Sequence, residues 1–220
     1  MRTKRRPRLA HANLSCRSRG GRKRTILRTY SDLVEAYILE YRQRAEEELD
    51  FYRNQRSLRA AVNMAALCTT KDATKHPHQW RLRNQVLNEA SSILSGSLPE
   101  IRRCKEFDAL MKLVEEKLMH LHGLGELTKY DIAHRVGNYF DLQPAKVYLH
   151  RGTRDGAKAL GFDKRLASID VSMLPRAFLR LKPYEIEDCL CIYKSELSRL
   201  ACGNSAHVKD SKAFCAPAQP

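Results

Sequence analysis

The amino-acid sequence reads as an all-α protein. Apolar residues recur at steps of one, three and four along most of its 220 residues, and Gly or Pro falls where those runs stop. No stretch alternates apolar and polar side chains as a half-buried strand would. At 43% hydrophobic, the chain is long enough to bury one core of ordinary size. The expectation is a single all-helical domain over residues 29–202, with a basic arm before it (1–28) and a polar tail after it (203–220).

Each helix has its own signal. Ser31 and Asp32 stand ready to cap a long run in which Leu33, Tyr37, Tyr41, Ala45, Leu49 and Tyr52 share a face. "SLRAAVNMAALC" forms a second helix and stops at "TTKDATKHPHQ", where Pro77 and small polar residues break the period. Helices resume at Trp80 with "WRLRNQVLNEASSILSG" and continue, after Gly96 and Pro99, through "PEIRRCKEFDALMKLVEEKLMHLHG". "ELTKYDIAHRVGNYF" is helical, "DLQPAKVYLH" is an extended connection broken by Pro144, and "RGTRDGAKALG" is a short helix. After the irregular "FDKRLASIDVSMLPRAF", Pro183 opens one last helix, "PYEIEDCLCIYKSELSRLA", with acids near its positive end. About eight helices are expected on this count.

The formal charge of +15 is unevenly spread. Residues 1–28 carry eleven Lys or Arg and no acid, which leaves 29 basic against 25 acidic residues, or +4, for the rest. The arm reads as a disordered polycation that adds salt-dependent affinity for nucleic acid, although its composition also suits an organelle transit peptide. A body at +4 must bind phosphate through local geometry rather than bulk charge. Seven cysteines, an odd number without a C-x-x-C pair, read as reduced and intracellular, hence cytoplasmic. No apolar run approaches the roughly 18 residues that a membrane span requires, so no membrane partner is expected.

"LHGLGELTKYDIAHRVG", residues 121–137, sets two glycines one residue apart between helical flanks. A turn of this kind aims free backbone N–H groups outward at the start of a helix, where the dipole also favours an anion. Leu121, Gly123, Leu124, Gly125, Thr128 and Ile132 together resemble the helix-hairpin-helix motif, spanning about residues 112–140 here. The resemblance implies that Gly123, Leu124, Gly125 and Thr128 grip the backbone of nucleic acid, expected to be double-stranded DNA, with Lys129 adding a charged contact. Glu126 beside the turn works against it.

Over residues 105–161 the chain further resembles the helix-hairpin-helix base-excision DNA glycosylases, with Val147 and His150 matching their V-D-T-H segment. The resemblance places Tyr148 where that family has its catalytic aspartate and Leu127 where many members have a nucleophilic lysine. Four cysteines at iron–sulfur spacing are also missing. A phenol of pKa about 10 cannot replace a carboxylate at neutral pH, so another acid would be needed, and Asp131 and Asp188 are the candidates for a catalytic role.

Other groups carry weaker signals. Arg151, Arg154 and Lys158 step by three and four into one basic face, a second candidate backbone contact, and Trp80 or Tyr148 can stack on a base. His76 with His78, and His120 with His122, form two H-x-H pairs, but neither has a Cys or Asp at ligand spacing, so no metal or cofactor is expected. Cys189 and Cys191 read as packing thiols. The leading reading is a DNA-binding protein on a glycosylase-like scaffold. A divergent glycosylase or lyase, and a helical protein-interaction module whose hairpin merely packs, stand beside it.

Overall fold

The computed structural model describes residues 26–205 of the chain, so most of the basic arm and of the tail lies outside the described residues. The fold is mostly helical. α1 (Tyr30–Tyr37) runs through a π segment (Ile38–Arg42) into α2 (Gln43–Arg53). α3 (Leu58–Ala66), α4 (Asn84–Gly96), α5 (Leu98–Arg103), α6 (Phe107–Leu118) and α7 (Glu126–Tyr139) follow. β1 (Val147–Tyr148), α8 (Thr153–Ala159), β2 (Ser168–Ile169), α9 (Pro183–Ile192) and α10 (Lys194–Ser205) complete the order.

Several boundaries differ from the sequence reading. Thr29, not Ser31 or Asp32, caps α1: its Oγ1 accepts from the Asp32 amide at 3.1 Å while Asp32 Oδ2 accepts from the Thr29 amide at 3.1 Å. The domain also begins earlier than residue 29, because Leu27 is buried in a core and its carbonyl accepts from Arg199. The helix expected from Pro99 to Gly123 breaks at residues 104–106. Ile101 and Phe107 are both buried, and at a separation of six residues a continuous helix would turn them to different faces. The final helix is likewise divided at Tyr193, and α10 extends to Ser205 rather than ending before residue 203. A two-stranded antiparallel sheet pairs Val147 with Ile169 and Tyr148 with Ser168. Two residues per strand are too few to show alternation, so no strand is legible in the periodicity.

Two apolar clusters build the interior. The first gathers α3, α4, α6 and α7 around Val62, Leu94, Leu110, Val114 and Ile132. The second gathers α1, the sheet and α8 to α10 around Leu33, Val147, Phe178, Ile186 and Leu197. The π segment lets one long helix serve both, since an extra residue per turn rotates the apolar stripe: Leu33 and Tyr37 face the second cluster and Tyr52 the first. It is fixed at Arg42, whose Nε donates to the fully buried Glu185 carboxylate at 2.6 Å and whose Nη2 donates to the Arg180 carbonyl at 3.0 Å.

α8 lies on α9 so closely that a methyl group at Gly156 would overlap the Leu190 backbone. Backbone cannot step aside as a side chain can. Gly156→Ala is expected to cost about 1–3 kcal/mol, as overpacking typically does, which for a domain of this size is about 2–12 °C in Tm. Calorimetry of the variant checks this, and an unchanged Tm would show that the two helices are not held at that distance.

Candidate functional site

Between α6 and α7 the chain makes the expected tight turn. The Leu121 amide donates to the Leu118 carbonyl at 3.2 Å, the Leu124 amide to that of Leu121 at 3.4 Å, and the Lys129 amide to that of Gly125 at 3.2 Å. Gly123 has φ +99°, a left-handed conformation that disfavours any side chain. Gly125 does not: at φ −79° and ψ 172° it is ordinary extended backbone capping α7. A Cβ at either glycine would meet nothing within 4 Å. The turn therefore opens outward, and its glycines are not there to clear room for packing. Leu124, Thr128 and Ile132 are buried and Leu121 packs against the first cluster, so these side chains fasten the turn while Gly123, Gly125 and Glu126 are exposed. Lys129 is half-buried beside it.

The loop before α4 borders this turn. Arg81, Leu82, Arg83 and Val86 line a groove of about 370 Å³ together with His122 and Gly123. Its lining contains no acid. Trp80 does not line it but is joined to it through Arg81: the indole is 61% exposed, with the Arg81 guanidinium 5.0 Å over its ring. The sequence reading placed Arg81 and Arg83 on a helix and drew no site from them, yet the interleaving of "WRLR" was the available signal. Arg151, just before α8, and Lys158 on it are exposed, but Arg154 clasps Glu126 through both terminal nitrogens, at 2.6 and 3.3 Å. That pair neutralises the acid beside the turn and removes Arg154 from the basic face. Tyr148 donates to Asp108 at 2.5 Å, which leaves Trp80 as the more open of the two proposed stacking residues.

A second site lies where the two apolar clusters meet. Glu48, His78, Asp131, Arg135, Glu187 and Asp188 line a pocket of about 140 Å³, room for several water molecules. Asp131 accepts from Gln79 Nε2 at 2.6 Å and His78 Nε2 at 3.0 Å, with Arg135 Nη2 at 3.8 Å. Arg135 is 3% exposed and also donates to Gln79 Oε1 at 3.0 Å, with Glu48 at 3.7 Å. Across the pocket His150 pairs with Glu187, and Tyr37 Oη donates to Asp188 Oδ2 at 2.8 Å. Tyr130 also lines the pocket, 3% exposed, and its buried hydroxyl has no hydrogen-bond partner.

The two candidate acids, distant in sequence, thus share one cavity that shifts their pKa values in opposite directions. Burial works against the Asp131 carboxylate, but Arg135 and His78 outweigh it and hold its pKa below the usual aspartate value. Burial, and then the neighbouring Glu187, push Asp188 well above it. Two carboxyl groups whose surroundings push their pKa values apart are the arrangement that acid–base chemistry uses. His76, which the sequence paired with His78, is instead buried against Tyr52 Oη at 2.8 Å, its pKa lowered to about 2 by burial and by Arg135. His120 and His122 are exposed near the turn. Among the described residues, no group of three or more His, Cys, Asp and Glu is arranged to hold a metal ion, and no helix is long and apolar enough to cross a membrane.

Opposite shifts predict opposite stability effects. In the unfolded chain Asp188 ionises near pH 4, whereas in the folded protein it keeps its proton to higher pH, so it costs stability as pH rises from 4 toward neutrality. Asp188→Asn should therefore melt at or above the parent at pH 7, with the difference shrinking toward pH 4. Asp131 contributes stability above pH 4 that is lost as pH falls through its lowered pKa. Asp131→Asn leaves Arg135 short of a partner and should cost about 3–5 kcal/mol at pH 7, the range seen when one member of a buried pair is removed. Thermal melts from below pH 4 up to pH 8 decide both, and equal destabilisation by the two variants at pH 7 would contradict the assignment.

Comparison with family models, curated proteins and solved structures finds no match to the chain, so the geometry alone carries the functional reading.

Proposed function

We propose that the protein binds nucleic acid, with double-stranded DNA as its partner, by seating a backbone phosphate on the turn between α6 and α7. One observation carries the reading: Gly123 and Gly125 face open space at the start of α7, directly beside a groove lined by Arg81 and Arg83. Backbone amides at a helix start attract phosphate, and the arginines extend the favourable field to the next phosphates. Such contacts position a duplex without reading its sequence. The basic arm then adds salt-sensitive affinity rather than the site itself.

The backbone at Gly125 makes Gly125→Val a clean test. Valine accepts that conformation, so the loss is limited to about 1 kcal/mol for a poorer helix cap, while its side chain occupies the space a phosphate would take. Binding of duplex DNA by protein truncated before Ile26 is expected to fall at least tenfold with little change in Tm. Lys129→Ala should weaken binding evenly across sequences and lower the salt slope by about one. If both variants fold and bind like the parent, the turn serves packing alone and the interaction-module reading takes its place.

A second reading is favoured by the cavity in which Asp131, Asp188 and the unpartnered Tyr130 hydroxyl meet: a divergent glycosylase or lyase with relocated acids. The leading reading predicts no release of uracil, 8-oxoguanine or alkylated purines from duplex DNA, because Leu127 and Tyr148 offer neither nucleophile nor carboxylate. Turnover that disappears in Asp131→Asn or Asp188→Asn would move the protein to the second reading.

A further inference from the structure

We infer that Trp80 is a stacking platform for an unpaired nucleotide in DNA held at the hairpin, an assignment that rests on the nucleic-acid reading above. A single exposed apolar side chain is ordinary on a protein surface. Trp80 is distinguished by how firmly its loop is held. On one side Gln79 is 2% exposed and bonded to both Asp131 and Arg135. On the other, Lys75 Nζ donates to the Leu82 carbonyl at 2.7 Å and to Asn84 Oδ1 at 2.8 Å, and the Leu82 amide donates to the Gln79 carbonyl at 3.0 Å. An indole held out on a braced loop, 61% exposed, is already ordered for a contact that the free protein does not make.

Its surroundings select the occupant. Arg81 both lies over the indole and lines the groove that reaches Gly123, so one residue joins an aromatic face to a row of phosphate-binding positions. Arg83 and His122 continue that row. Alternation of an aromatic face with cationic groups along a groove is how proteins hold unpaired nucleotides, with bases stacked and backbone neutralised. A fully paired duplex offers Trp80 nothing, because its base faces are already stacked on one another. An extruded or unpaired base can cover the indole while its flanking phosphates stay on the groove and the hairpin.

Trp80 is the only tryptophan in the chain, so its fluorescence reports this contact directly in the full-length protein. Titration with a duplex carrying a one-nucleotide bulge is expected to quench the emission, and a fully paired duplex of the same length is expected to quench it far less. The parent should prefer the bulged duplex, and Trp80→Ala should abolish that preference by weakening bulge binding about 5- to 150-fold, the span of base–aromatic stacking. Trp80→Tyr should restore most of it. Equal quenching by the two duplexes, or a bulge preference that survives Trp80→Ala, overturns the platform. Those results leave the hairpin reading standing if paired duplex still binds and Gly125→Val still weakens it. Loss of the bulge preference in Arg81→Ala together with Arg83→Ala, but not in Trp80→Ala, would show the groove to be purely electrostatic and would also overturn it.

Discussion

The buried Arg135 on α7 is the constraint around which the candidate surfaces are arranged. A guanidinium out of water must be met by charge and by hydrogen-bond acceptors. Here Asp131 supplies the first from the same helix, Glu48 adds to it from α2, and Gln79 supplies a carbonyl from the loop before α4. Satisfying this one group fixes the loop that carries Trp80 and Arg81, and it orients α7, which starts directly after the turn at Gly123 and Gly125. It also keeps Asp131 ionised in an otherwise acid-rich cavity. The groove, the turn and the cavity are therefore parts of one arrangement.

The same arrangement sets stability against local chemistry. α7 is buried from Ile132 to Asn138 although it contains His134, Arg135 and Asn138, a composition no apolar core would select. Placing Glu187 and Asp188 on adjacent positions of α9, one against His150 and the other against Tyr37, leaves carboxyl groups where burial opposes their ionisation. Polar groups kept in this state at the meeting of two apolar clusters mark the place where the fold gives up packing for something else. The unpartnered Tyr130 hydroxyl in the same cavity belongs to that account.

How much of this was legible in the sequence depended on the range of the signal. Helix periodicity is local, and the long helix from Tyr30, α3, α4 and α7 were readable for that reason. The turn between α6 and α7 was readable through Gly123, whose φ of +99° favours glycine, whereas Gly125 takes ordinary extended backbone. The break at residues 104–106 was also present in principle, in the six-residue step from Ile101 to Phe107, but a charged stretch without Gly or Pro hid it. The sheet could not be seen from two-residue strands. Asp131 and Asp188 were identifiable as stray acids, whereas their meeting in one cavity, and the partners Arg135, Gln79 and Glu187, depend on contacts across the chain that no local pattern carries. Arg154 shows the converse: its spacing suggested a free basic face, and its actual partner is Glu126, 28 residues away.

In the proposed mode of binding, phosphate is held by main-chain amides at the start of α7. The most direct measurement is an amide-resolved NMR titration of the full-length protein with duplex DNA, read residue by residue. The account predicts the largest shifts at the amides of Gly123, Gly125, Glu126 and Leu127, with smaller ones at Arg81 and Arg83. DNA binding that leaves those hairpin amides unmoved would contradict it.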